Sequence, residues 1–120
     1  MLNMEGMDLH RAGIEHLLWK RSIRNYLDDK EGKDTMETVS HKNCRVGQWI
    51  YSSGKKNYGE MTELRELEIV HVETHNIANR IIRLKKDGNN LEAETEYEKL
   101  ETISKVIVSK LTALAIRLSD

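Results

Sequence analysis

His71 and His75 lie four residues apart, with Val72, Glu73 and Thr74 between them. On an α-helix that spacing sets both imidazoles on one face, one turn apart, within reach of a common metal ion. The pair falls inside an apolar stripe, beside Leu67 and Ala78, where an aliphatic core has no use for it. A buried polar group without a partner costs about 1–3 kcal/mol. His16 occupies the equivalent stripe of an earlier segment and raises the same question a third time. Three inward histidines with few inward carboxylates to pair them point to a cation.

Cys44 supplies a fourth donor. Its expected place is the first turn of a short helix, where the partial positive charge of the helix end lowers a thiol's pKa and favours thiolate. Three imidazoles and one thiolate match the tetrahedral, nitrogen- and sulfur-rich preference of Zn²⁺, and a soft thiolate disfavours Mg²⁺ or Ca²⁺. Four protein ligands close the coordination shell. Such a site is structural or sensory, because a catalytic zinc keeps a position for water. His10 and His41 are expected at the surface, although His41, three residues before Cys44, is the nearest substitute ligand.

Four segments must position these donors. From about Met7 to Asp28, Leu9, Ala12, Gly13, His16, Ile23 and Leu27 recur at helical steps. Asp28 to Ser40 is polar and charge-mixed and is read as a loop. Asn43 to Tyr51 is a short helical segment with Val46, Trp49 and Ile50 as its apolar surface and Asn43 as its expected cap. Ser52 to Gly59 reads as a turn-rich connection. Met61 to Lys86 is a long amphipathic helix whose inward face carries Leu64, Leu67, His71, His75, Ala78 and Ile82. It closes on lysines, with Gly88 just beyond. From about Asn90 to Leu118, Ala93, Tyr97, Leu100, Ser104, Ile107, Leu111, Leu114 and Leu118 step by four and three. That sustained period outweighs the β-branched run Val106-Ile107-Val108. Three long helices and one short, cysteine-bearing one predict an all-α four-helix bundle over residues 1–120, with its core in 7–118.

Composition agrees and narrows the function. The 120 residues contain no proline and no phenylalanine, and aromatics reach only 5%, which speaks for helices and against a β-sandwich. A formal charge of -1 argues against a nucleic-acid partner. One cysteine excludes an internal disulfide framework and fits a reducing, cytoplasmic setting. Met1 to His10 has no apolar core of the kind a signal peptide needs, and no apolar run approaches the ~20 residues that span a bilayer. A di-iron carboxylate enzyme would need two Glu-x-x-His motifs, and only Glu68 to His71 fits. No paired nucleophile and base is evident, so the chain is not expected to be an enzyme.

The order of these motifs is itself informative. His16-Leu17-Leu18-Trp19, then Cys44-Arg45-Val46-Gly47-Gln48-Trp49, then His71-Val72-Glu73-Thr74-His75 resemble the signature of the chemoreceptor zinc-binding (CZB) domain: His-x-x-Trp, Cys-x-x-Gly-x-Trp and His-x-x-x-His on a four-helix bundle. The resemblance covers about Met7 to Leu118, and it implies His16, Cys44, His71 and His75 as zinc ligands. It further implies a bacterial signalling module of a chemotaxis receptor or a diguanylate cyclase. Its output would respond to zinc or to oxidation of the ligand cysteine, and it often dimerises. No output-domain motif is present, so a separate or attached partner domain is expected. The heptads from Ala93 to Leu118 permit a homodimer. The alternative is a structural dimerisation module in which zinc is a constitutive staple.

Overall fold

The computed structural model describes residues 4–32 and 35–118. Positions 33 and 34 of the expected loop, and the chain ends at 1–3 and 119–120, lie outside the described residues. Three long helices run along a body of 48 × 22 × 22 Å: α1 (Met4–Leu27), and two more that follow a broken helical segment. That segment comprises α2 (Arg45–Trp49), a π-helical turn (Ile50–Gly54) and α3 (Lys55–Tyr58). The remaining long helices are α4 (Thr62–Lys86) and α5 (Asn90–Arg117). The fold is an all-α bundle whose fourth member is composite, and no strand occurs among the described residues. Among the described residues no helix is long and apolar enough to cross a membrane.

Each inward stripe expected from the periodicity is buried. On α5, Ala93, Tyr97, Leu100, Ser104, Ile107, Leu111 and Leu114 all face the interior, and α5 packs against both α4 and α1. The heptad seam is thus used inside this chain. The α4 to α5 turn is a Schellman motif. The Asn89 N–H donates to Leu84 O and the Gly88 N–H to Lys85 O, with Gly88 at φ +80°.

Two of the sequence expectations are corrected here. Ser52 to Gly59 is not a turn-rich connection but continues the helical path through the π turn into α3. With no proline to break it, Ser52 Oγ returns a hydrogen bond to Gln48 O at 2.6 Å, and Gly54 packs closely on the Trp49 ring. The cap of α2 is Cys44 rather than Asn43. Cys44 holds extended backbone angles, and its sulfur accepts from the Gly47 N–H at 3.4 Å.

The apolar interior divides in two. One cluster gathers Leu9, Ala12, Val46, Trp49, Ile50, Leu64, Leu67, Ile107, Leu111 and Leu114. The other gathers Ile23, Leu27, Ile77, Ala78, Ile81, Ala93, Tyr97 and Leu100. Between them, in every long helix, the buried stripe turns polar: His16 on α1, His71, Thr74 and His75 on α4, and Ser104 on α5. The bundle is therefore two apolar cores joined at a polar waist.

Candidate metal centre

At that waist the structure brings together all four residues singled out by their spacing. One ligand atom from each of His16, Cys44, His71 and His75 lies within 4.8 Å of every other. The three imidazoles are buried, at 6%, 0% and 1% exposure for His16, His71 and His75, and Cys44 is half-buried. His16 Nε2 stands 3.4 Å from His75 Nε2, and Cys44 Sγ stands 3.0 Å from His71 Nε2. Bond lengths of about 2.0–2.3 Å to a tetrahedral zinc require ligand atoms roughly 3.3–3.8 Å apart. The cluster is already near that size before any ion enters it.

Local structure explains how each donor arrives. α1 and α4 present His16, His71 and His75 as members of inward stripes. Cys44 is delivered by the turn before α2, which lies flush against the helix. A Cβ at Gly47 would collide with the His41 carbonyl oxygen, so only glycine allows that approach. Trp19 stacks on His75 with ring centroids 4.4 Å apart and meets His16 edge-on at 5.1 Å. Both tryptophans pack against the apolar clusters, Trp49 in the first and Trp19 against the second.

Electrostatics favour the metal-ready forms of the histidines. Burial, and to a lesser degree the neighbouring His75, lower the pKa of His16 to about 4. Burial and the adjacent imidazoles lower that of His71 to about 2. Burial likewise lowers that of His75, partly offset by its bond to Val39. All three are neutral at pH 7, with lone pairs available. His71 Nδ1 is buried with no hydrogen-bond partner among the described residues, and its Nε2 meets the sulfur.

The thiol corrects the sequence reading. Burial outweighs the N–H groups of Gly47, Val46 and Cys44 itself and pushes the Cys44 thiol above its ordinary pKa, not below it. Five residues of helix do not compensate for lost hydration. A dication is the remaining source of stabilisation for thiolate here, and no other grouping of three or more such donors occurs among the described residues.

His41 is half-buried rather than exposed. Its ring lies 6.3 Å from that of His71, outside the four-donor group. His10 is exposed as expected. The sequence reading missed Val39 and Asn79. His75 Nδ1 lies 2.9 Å from Val39 O, which also accepts from Asn79 Nδ2 at 3.0 Å, while the Val39 N–H donates to Asn79 Oδ1 at 2.9 Å. The stretch expected as an open loop is therefore pinned to α4 near its end. Only the i, i+4 relation of His75 and Asn79 was visible beforehand.

The family model described as the chemoreceptor zinc-binding domain matches residues 16–82, more than half of the chain and all four donors. No curated protein and no solved structure matches the chain significantly.

Proposed function

The chain belongs to the chemoreceptor zinc-binding domain family, and we propose that it is a non-enzymatic, zinc-responsive regulatory module with His16, Cys44, His71 and His75 as ligands. The observation that carries the reading is the convergence of three neutral imidazoles and one thiol at the waist between two apolar cores. When bound, zinc supplies a charge that holds Cys44 as thiolate and ties α1, α4 and the α2 segment together. The donor set holds no carboxylate, its burial keeps the histidines neutral, and its four ligands would close the shell, leaving no position for a reacting water.

The regulatory step we propose is at Cys44. A cleft of about 240 Å³ lined by Glu15, His16, Trp19, Val39, Cys44 and Arg45 reaches the sulfur. Hypochlorous acid there would transfer its oxygen to the thiolate and leave as chloride, oxidising sulfur by two electrons to the sulfenic acid. The product would no longer ligate as thiolate, so the α2 segment would be released, with His16, His71 and His75 left to hold a bound metal more weakly. Because Val39 is pinned, the hinge on the upstream side is confined to residues 40–43. That motion would pass to a bacterial, cytoplasmic output domain of chemotaxis or diguanylate cyclase type. A homodimer would form through the groove between α1 and α5, where Ile14, Leu17 and Ile116 are exposed.

Native mass spectrometry with and without a strong chelator tests the metal, and amide exchange of residues 41–51 with zinc present tests the switch. One zinc per chain is expected, together with faster exchange of that segment in Cys44→Ala than in wild type. A metal-free wild type would overturn the zinc reading. Equal protection in the two proteins would leave zinc as a constitutive staple and end the switch.

A further inference from the structure

Asn79 is not one of the four donors, yet its side chain faces Val39, the loop residue whose carbonyl meets His75. Its side-chain amide pairs with both backbone polar groups of Val39, as a neighbouring β-strand would: Oδ1 accepts from the Val39 N–H at 2.9 Å and Nδ2 donates to Val39 O at 3.0 Å. The orientation of the amide is fixed by chemistry, because an N–H can only donate and a carbonyl can only accept. The same carbonyl oxygen lies 2.9 Å from His75 Nδ1. A carbonyl has no proton to give, so the proton between them belongs to His75, and its Nδ1–H tautomer is the one present. That leaves Nε2 bare and aimed at the cluster, 3.4 Å from His16 Nε2.

We propose that Asn79 is a positioning residue for the metal centre. By clamping the Val39 backbone, it fixes the tautomer and ring angle of His75 and anchors the loop segment that leads to Cys44 five residues on. The inference rests on the zinc reading for its affinity effect, but not for its effect on the tautomer. His75 and Asn79 are one turn apart on α4, so both reach the same peptide from one rigid helix. Trp19 holds the ring from its flat side, and the Val39 carbonyl holds it in its plane. Partners of this kind behind a ligating histidine are worth about 10- to 100-fold in metal affinity.

The test uses the full chain as Asn79→Ala and Asn79→Asp. The aspartate keeps the acceptor for the Val39 N–H but puts a charged oxygen where the donor to Val39 O stood. Long-range ¹H–¹⁵N correlation of the imidazoles in metal-free protein at pH 7.5 reads the tautomer, amide exchange reads Val39, and chelator competition with zinc alone reads affinity. Asn79→Ala is expected to give mixed His75 tautomers, to lose Val39 protection and to bind zinc at least about 10-fold more weakly. Asn79→Asp, which can keep one of the two bonds to Val39, is expected to fall between wild type and Asn79→Ala in both tautomer and Val39 protection, a grading that a merely helical role for Asn79 would not produce. An unchanged tautomer with affinity within twofold in Asn79→Ala would overturn the proposal. Were Asn79→Ala unfolded, an unchanged tautomer and unchanged Val39 protection in a folded Asn79→Asp would overturn it equally, and a shift in either would support it. Were wild type to bind no zinc, the tautomer and exchange results would still decide the clamp, while the zinc reading alone would fall.

Discussion

Acid should undo the metal-free protein at the waist, in a pH window set by the buried histidines. In the unfolded chain His16 titrates near its ordinary value of about 6.5, and in the fold its pKa is lowered to about 4, chiefly by burial. Between those values the unfolded chain takes up a proton that the folded chain refuses. Stability contributed by the neutral ring is therefore complete above pH 6.5 and is lost as pH falls toward 4. Each pKa unit is worth about 1.36 kcal/mol, so His16 alone removes about 2 kcal/mol between pH 7 and 4.5. Its ring is only 6% exposed, which leaves little solvent screening to discount. His71 is lowered further, to about 2, and acts in the same direction. Set against a typical total of 5–15 kcal/mol, this loss is large. Urea unfolding of chelator-treated protein should show a midpoint falling by about 1–2 M over that range, for a slope of about 1–3 kcal/mol/M. His16→Leu removes one of the titrating groups, and its midpoint should fall less steeply. A wild-type midpoint flat from pH 7 to 4.5, or a His16→Leu slope equal to wild type, would refute the reasoning.

Other perturbations should separate the site from its scaffold. Gly47→Ala drives a methyl into the His41 carbonyl and should cost about 1–3 kcal/mol, with faster amide exchange across residues 44–58; an unchanged melting temperature would count against the close approach. Ile81→Ala, at a fully buried position of the second apolar cluster, should cost about 2–5 kcal/mol while leaving metal stoichiometry untouched in the folded fraction. Arg24 bridges Asp28 at 2.7 Å and Glu94 at 2.6 Å and lies over the Tyr97 ring, yet these are exposed pairs. Arg24→Ala should therefore cost under about 1 kcal/mol by denaturant titration.

What the sequence disclosed and what it hid follow from the range of the interactions. The stripes on α1, α4 and α5 were legible because burial repeats at the helical period, and every inward position expected on α5 from Ala93 to Leu114 is buried. The four donors were legible for the converse reason: histidines placed within apolar stripes break a pattern the core would otherwise complete. The cap of α2 was misassigned because Asn43 has the better oxygen for capping, whereas the fold places the Cys44 sulfur there instead, 3.4 Å from the Gly47 N–H. The thiol's pKa was misjudged because charge at a helix end is a local property and burial is not. Ser52 to Gly59 carried turn residues, but Gly54 serves to admit the Trp49 ring and Ser52 to cover a helix carbonyl. The Val39 and Asn79 clamp joins residues forty positions apart through backbone atoms, and no local pattern announces such a contact.

The central claim is that three imidazoles and the Cys44 thiolate share one zinc ion. X-ray absorption at the zinc edge of the loaded protein tests it most directly, since nitrogen and sulfur shells differ in distance and scattering. The account predicts one sulfur at about 2.3 Å and three nitrogens at about 2.0–2.1 Å, with the sulfur shell lost in Cys44→Ala. A zinc shell of oxygens and nitrogens without sulfur in the wild-type protein would contradict it.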